Sequence, residues 1–376
     1  MDERIREILS GEGAWIVGGA VRDALLLRPV LDVDVACSDP RDAAHRFARR
    51  FGGAVFPLSE RHGAWRVVAD SIDETVDFTP LADGIDADLA TRDFTFNAIA
   101  ESVETGAPYD PHDGRDDLRD GVVRAVTDTV FVDDPLRLLR AVRFEDELGF
   151  RMDERTESLL RTSARCVTKP AGERVLSELE RLSAAGYRRL HDVGLLEPLG
   201  GALDERLDAL DDSDFRLVVA FGENLRRLPI SNELKRYASA LRRARKPGDP
   251  SARAIHRFRR ETEPWALDAL AFVGSPELVG VVEAARRADP PAPLVRGDEL
   301  GIEPGPEIGR ILDAIDEGVL ARRDRPRCPH CRRSAPLLSP TDCFDCSGRS
   351  PETRPRSTQA AAPGRWRSLW HRTSTR

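Results

Sequence analysis

Two aspartates one residue apart, Asp32 and Asp34, stand in Leu31-Asp32-Val33-Asp34-Val35, shortly after the run Gly18-Gly19-Ala20-Val21-Arg22-Asp23. Side chains alternate along an extended strand, so Leu31, Val33 and Val35 share one face and both carboxylates share the other. Paired carboxylates repel unless a cation lies between them. Hard divalent ions such as Mg²⁺ favour such oxygen ligands and let substrate phosphates complete the shell. The pair therefore reads as a metal site for phosphate chemistry, and the alternative is an exposed strand edge beside an ordinary turn.

The neighbouring residues supply elements to position such a site. The apolar run Ala14 to Val17 predicts a strand, Gly18 and Gly19 a turn, and Val21, Leu25 and Leu26 a helix starting near Val21. Glycines at such a turn let backbone N–H groups approach a phosphate closely. Arg22 falls near the helix start, where it could join those amides against an anionic triphosphate. A strand, turn, helix and strand in that order, ending on the aspartate pair, favours the chemical reading over either motif taken alone.

Further along, Thr75-Val76-Asp77-Phe78-Thr79 alternates and offers a third carboxylate, Asp77, on its polar side. A helix is expected from about Asp133 to Gly149, roughly four turns, with Asp133 or Asp134 as N-cap, Pro135 in the first turn and Gly149 as the stop. Leu136, Leu139 and Val142 would be buried, while Asp134, Arg137 and Arg140 form another stripe that could face a cleft. The plain alternative makes Asp134 and Arg137 a surface ion pair.

Together these segments resemble the class II tRNA nucleotidyltransferases, the bacterial and eukaryotic-type CCA-adding enzymes, and their relatives the bacterial poly(A) polymerases. Gly18 to Leu26 followed by Asp32-Val33-Asp34 is similar to the family's opening, Arg92-Asp93-Phe94-Thr95-Phe96-Asn97-Ala98 to its ribose-contacting segment, and Asp133 to Phe144 to its nucleotide-selecting helix. Glu173-Arg174-Val175-Leu176-Ser177-Glu178 resembles its neck motif. The resemblance runs from about residue 14 to 200 and implies template-free addition of CMP, AMP or both to the tRNA 3′ end, from CTP and ATP, with release of pyrophosphate. It further implies catalysis by Asp32, Asp34 and Asp77, with Mg²⁺ on Asp32 and Asp34. Nucleotide would be bound by Gly18, Gly19, Arg22, Asp23, Arg92, Asp93, Asn97, Asp134, Arg137, Arg140 and Arg143, with Asp134 and Arg137 reading the base. Only Thr79 to Thr91 separates the third carboxylate from the Arg92 motif, a short segment that resembles the CC-adding members. Residues 59–68 lack the basic signature of the poly(A) polymerases. Poly(A) synthesis, transfer to another RNA and a non-catalytic RNA-binding role remain the competing readings.

The chain has 376 residues, 40% hydrophobic, and a formal net charge of −8. A general nucleic-acid-attracting field is thereby excluded, and RNA contact would need local basic clusters such as Arg226-Arg227, Lys235-Arg236 and Arg242-Arg243-Ala244-Arg245-Lys246, which could equally be solvated faces. No apolar run is long enough to span a bilayer and the first residues lack a signal-peptide pattern, so the expected location is the cytoplasm, without membrane. The expected fold is an α+β nucleotidyltransferase head with a small mixed sheet over residues 1–120. A helical neck (121–200) and an all-α tRNA-binding body (201–320) would follow. Cys328-Pro329-His330-Cys331 and Cys343-Phe344-Asp345-Cys346, eleven residues apart, suit a tetrahedral structural Zn²⁺ site in 321–350, with disulfides as the alternative. A disordered basic tail (351–376) is expected to end the chain. Cys37 and Cys166 read as buried thiols, and His191 as structural. Oligomeric state is not indicated.

Overall fold

The computed structural model describes residues 3–30, 32–59, 63–68, 75–288, 295, 300–301 and 305–323. The chain divides into two units, residues 1–250 with 254–289, and residues 251–253 with 290–376. In the second, the described element is one helix, Pro306–Arg323. Both cysteine knuckles lie outside the described residues.

The first unit opens with α1 (Glu3–Leu9), β1 (Trp15–Val17), α2 (Gly19–Leu25), β2 (Asp32–Cys37), α3 (Pro40–Phe51), β3 (Ala54–Ser59), β4 (Ala64–Val68) and β5 (Thr75–Pro80). It continues through α4 (Ile85–Ala90), β6 (Ala100–Ser102), β7 (Pro108–Tyr109) and α5 (Gly114–Asp120). Strands β1 to β7 form one mixed sheet in the order β3-β4-β5-β2-β1-β6-β7, in which β2 and β5 run parallel and the remaining pairs antiparallel. Alternation along β2 buries Val33 and Val35 and leaves Asp32 and Asp34 on the other face. Helix α3 covers the apolar face with Ala43, Ala44 and Phe47, one helical turn apart, and Phe47 meets Phe78 of β5. Asp39 caps α3 by accepting the Asp42 N–H.

Helices then predominate: β8 (Val122–Val123), α6 (Val130–Asp133), α7 (Arg137–Leu148), β9 (Arg151–Met152), α8 (Glu154–Ser163), α9 (Gly172–Glu180) and α10 (Ala184–Asp192). Beyond them come α11 (Ser213–Phe221), α12 (Asn232–Arg243), α13 (Ala252–Thr262), α14 (Ala266–Phe272) and α15 (Val279–Ala288). The purely helical expectation for 121–200 overlooks β8 and β9, which pair as a two-stranded parallel ribbon. The helix expected from Asp133 is also two pieces. Asp133 ends α6, Asp134 is extended at φ −137°, and α7 starts at Arg137. Pro135 explains the break, because its ring disfavours the helical region for the residue before it. Gly149 does end α7, at φ 70°, and Leu136, Leu139 and Val142 are buried. Similarly, α2 starts at Gly19 rather than near Val21. Cys37 is buried, but Cys166 is only half-buried.

An aromatic cluster ties α7 to the sheet. Phe144 meets Phe94 and Phe96 edge-on at centroid distances of 5.7 and 5.1 Å, with all three rings fully buried. Each buried phenylalanine contributes about 2 kcal/mol by transfer, and each ring pair up to about 1 kcal/mol more. Phe94 and Phe96 flank Thr95 in the Arg92 motif, so this packing fixes that motif against the helix.

Candidate active site

One cleft of about 850 Å³ opens in the first unit between the β1–α2 turn, β2, the Arg92–Asn97 segment, α7 and α9. Gly18, Gly19, Arg22, Asp23, Asp32, Asp34, Arg92, Asp93, Asn97, Asp134, Arg137, Arg140 and Arg143 all line it. Of the residues singled out for nucleotide or Mg²⁺, the structure thus gathers every one. Asp77 is not among the lining residues.

At one end the chain leaves β1 through Gly18 at φ 71°, a conformation that only glycine adopts freely. A Cβ on Gly18 would stand 3.1 Å from an Arg92 guanidinium nitrogen and 3.3 Å from Asp34 Oδ2. The glycine therefore lets the turn lie against both the carboxylate pair and the second motif. Arg22 on α2 donates to both carboxylate oxygens of Asp23 at 2.8–2.9 Å, and its remaining nitrogen reaches Asn97 Oδ1 at 2.8 Å. Arg92 is held by Asp88 of α4 at 2.7 Å.

The carboxylates lie on neighbouring strands in register. Asp32 faces Thr75, whose hydroxyl donates to Asp32 Oδ1 at 2.5 Å, and Asp34 faces Asp77. Arg66 of β4 faces Asp77 from the other side and donates to both of its oxygens at 2.7 and 2.6 Å. Burial pushes the Asp34 carboxyl above the ordinary aspartate value. Asp77 and Asp32 push it the same way, while Arg92 and Arg66 oppose them. Among the described residues, no three His, Cys, Asp or Glu side chains form a metal-binding group. The pair Asp32 and Asp34 nevertheless fits a divalent cation in its chemistry, being two acceptor carboxylates on one sheet face whose mutual repulsion a cation would relieve.

Asp93 behaves differently. It is 6% exposed and accepts the Phe94 N–H, Asn97 Nδ2 and Arg140, the last at 2.7–2.8 Å. Burial alone would raise it, yet the Arg140 charge and these hydrogen bonds hold it below the ordinary value. Thr95 of the same segment donates to Asp117 at 2.7 Å. Gly114 lies so close behind it that a Cβ would fall 2.2 Å from the Thr95 carbonyl oxygen.

The α7 side shows how the helical stripe is spent. Asp134 and Arg137 do not pair with each other. Asp134 accepts the Leu136 N–H at 3.1 Å and Arg174 of α9 at 2.9 Å, and Arg137 donates to the Thr91 carbonyl at 2.6 Å. Asp134 is lowered: burial opposes, but Arg174, the Leu136 N–H and the Arg137 charge prevail. Arg143 is 3% exposed and bound by Glu178 at 2.6 Å and by Glu147. Arg22, Arg140 and Arg143 surround the Phe144 ring at 5.2, 5.4 and 4.2 Å.

Sequence reading missed Arg66, Asp88, Phe144, Glu147 and Arg181. It also missed Arg174 as a site residue, although that arginine sits in the quoted neck motif. Only Asp88 and Arg92, four residues apart, carry a local signal in their spacing. His191 lies outside the cleft, its Nδ1 2.5 Å from Glu197.

Residues 14–82 and 70–124 match the Poly A polymerase head domain. A CC-adding tRNA nucleotidyltransferase of Geobacter sulfurreducens is 44% identical over 174 residues, 46% of this chain and 40% of the relative. An A-adding tRNA nucleotidyltransferase of Deinococcus radiodurans is 37% identical over 255 residues, 62% of this chain and 57% of the relative. The chain thus spans about half the length of these curated relatives. The solved Thermotoga maritima CCA-adding enzyme complexed with tRNA shares the fold, with a TM-score of 0.69 at 22% identity over 86% of this chain and 92% of that one. With the motifs in order, residues 14–124 match the Poly A polymerase head domain, and the chain is similar there to curated CC-adding and A-adding tRNA nucleotidyltransferases.

Proposed function

We propose that this chain is a template-independent tRNA nucleotidyltransferase that adds CMP to the tRNA 3′ end, stops after two cytidines and releases pyrophosphate. The observation that carries the reading is the single cleft in which residues 18–34, 92–97 and 134–143 converge. Asp32 and Asp34 would hold Mg²⁺, which supplies charge neutralisation on the triphosphate and a lowered pKa for the attacking 3′-hydroxyl. The amides at Gly18 and Gly19, with Arg22, hold the triphosphate. Arg92, Asp93 and Asn97 shape the ribose position.

The base is read by Asp134 and Arg137. A carboxylate accepts from the cytosine amino group and a guanidinium donates to its ring acceptors, so protein side chains stand in for a template strand. Both side chains are engaged in this structure, by Arg174 and the Thr91 carbonyl, and an incoming base exchanges for those partners. Arg140 and Arg143 are bound to Asp93 and Glu178 and act as positioning groups.

The limit to cytidine rests on the segment between β5 and Arg92, where α4 takes up residues 85–90 and leaves no length for a long loop. The relatives add CC or A by their names, so likeness by itself does not select. In this reading residues 1–120 are the head, 121–200 the neck, 201–320 the body that grips the acceptor stem, 321–350 a zinc knuckle and 351–376 a basic tail of a cytoplasmic enzyme. Among the described residues no helix is long and apolar enough to cross a membrane.

The test extends tRNA transcripts ending before CCA, after C and after CC, with Mg²⁺ and CTP, ATP or both, at single-nucleotide resolution. The expected product stops at CC even with ATP present. Completed CCA overturns the cytidine limit, long A tracts favour a poly(A) polymerase, and RNA binding without extension favours the non-catalytic reading.

A further inference from the structure

We propose that Arg66 withdraws Asp77 from the cation site, so that Asp32 and Asp34 alone hold the divalent ion while the Arg66–Asp77 pair sets how tightly it is held. The proposal rests on the reading of Asp32 and Asp34 as the metal pair. Its basis is a row across three strands, Asp34 on β2, Asp77 on β5 and Arg66 on β4, aligned by two consecutive registers. Aligned residues of neighbouring strands share a sheet face, so the Asp77 backbone lies one strand spacing, about 5 Å, from that of Asp34, yet its carboxylate does not join Asp32 and Asp34 in a three-ligand group. Its oxygens are both committed, one to Arg66 Nε at 2.7 Å and one to a terminal nitrogen at 2.6 Å.

Such a two-pronged contact is the strongest an arginine makes with a carboxylate, and it fixes the orientation of both groups. Asp77 is 9% exposed, so freeing it would strand a nearly buried charge. The cleft agrees: Asp32 and Asp34 line it, and Asp77 does not. Arg66 also offsets one of three neighbouring negative charges, which weakens the pull on a cation without occupying an acceptor of the pair. Weak holding suits an ion that must enter and leave with each triphosphate. Cation affinity scales with the number of ligand charges, so releasing Asp77 is expected to tighten binding.

The probe is Mn²⁺ alone, titrated into the full chain without nucleotide and read by loss of the free-ion electron paramagnetic resonance signal. Asp34→Asn should remove binding and Asp77→Asn should weaken it only a few-fold. Arg66→Gln should tighten binding about tenfold by adding a ligand charge, and the double variant Arg66→Gln with Asp77→Asn should return to the wild-type level. Arg66→Lys, which keeps the charge but not the fork, should fall between wild type and Arg66→Gln. Loss of binding in Asp77→Asn as complete as in Asp34→Asn would overturn the proposal, as would unchanged affinity in Arg66→Gln. If thermal melts show Arg66→Gln unfolded, Arg66→Lys and Asp77→Asn carry the same test. Wild-type chain that binds Mn²⁺ through Asp34 yet adds no CMP would sink the proposed function and leave this inference standing.

Discussion

Asp34 and Asp93 line the same cleft, and their surroundings move them in opposite directions. Asp93 accepts hydrogen bonds from a backbone N–H, an amide and a guanidinium, and falls below the ordinary aspartate range although it is buried. Asp34 is half-buried, desolvation raises it, its sheet neighbours Asp77 and Asp32 add to that, and it rises. The strand side of the cleft is therefore built with unbalanced negative charge. The segment joined to α7 is built with its charges satisfied. A carboxylate whose needs are met inside the protein holds the fold, and one left wanting a cation is available for chemistry.

Substitution separates the two most sharply. Asp34→Asn should cut nucleotide incorporation on the order of 10³-fold, as expected when transition-state charge loses its support, with RNA binding nearly unchanged. Equal loss of RNA binding would contradict the assignment. Asp93→Asn should instead loosen the site, costing on the order of 2 kcal/mol because the half-buried Arg140 loses its charged hydrogen-bond partner and keeps only the longer contact to Glu178 at 3.8 Å. Denaturant unfolding would measure it.

The pH dependence of stability has opposite signs at the two positions. Asp93 sits lower in the folded state than in the unfolded chain, so its stabilisation is present above about pH 4 and lost as pH falls through the folded value. Asp34 sits higher in the folded state, so its ionised form costs stability at neutral pH and that cost fades as pH falls through its raised value. Asp34→Asn should thus leave the neutral-pH melting temperature equal or a little higher, and Asp93→Asn should remove part of the acid-induced loss. A melting temperature that drops in Asp34→Asn would show that the pair is satisfied without a cation.

How much of this was written in the sequence differs between the two sides for a physical reason. The strand carries its side-chain directions in a period of two, so Asp32 and Asp34 could be placed on one face from their spacing alone. Gly18 and Gly149 similarly announce their turns, with positive φ at both. What spacing could not supply was partner identity. Arg66 meets Asp77 only because β4 and β5 pair in one register, and Arg174 meets Asp134 from forty residues away. Pro135 suits a first helical turn as well as a break, so its type alone does not show that Asp134 stands in an extended link before α7. That link is what frees Asp134 to reach both Arg174 and the cleft.

The smallest expected effect tests that link. Among the described residues Arg137 hydrogen-bonds the Thr91 carbonyl at 2.6 Å and forms no ion pair within contact distance, unlike Arg140 and Arg143 on the same helix, although its charge acts on Asp134. Its removal therefore leaves no buried charge stranded, and Arg137→Ala should melt within a few degrees of wild type. The cost should appear in choice. Base-edge recognition by such a group discriminates by about 1–3 kcal/mol, so the preference for CTP over UTP in single-nucleotide extension should fall roughly tenfold or more while some incorporation persists. Unchanged preference would remove Arg137 from base reading and leave it a tether between α7 and the Arg92 segment. A preference lost together with the melting temperature would mean that the same side chain does both, and that this side of the cleft, too, spends its charge on the fold.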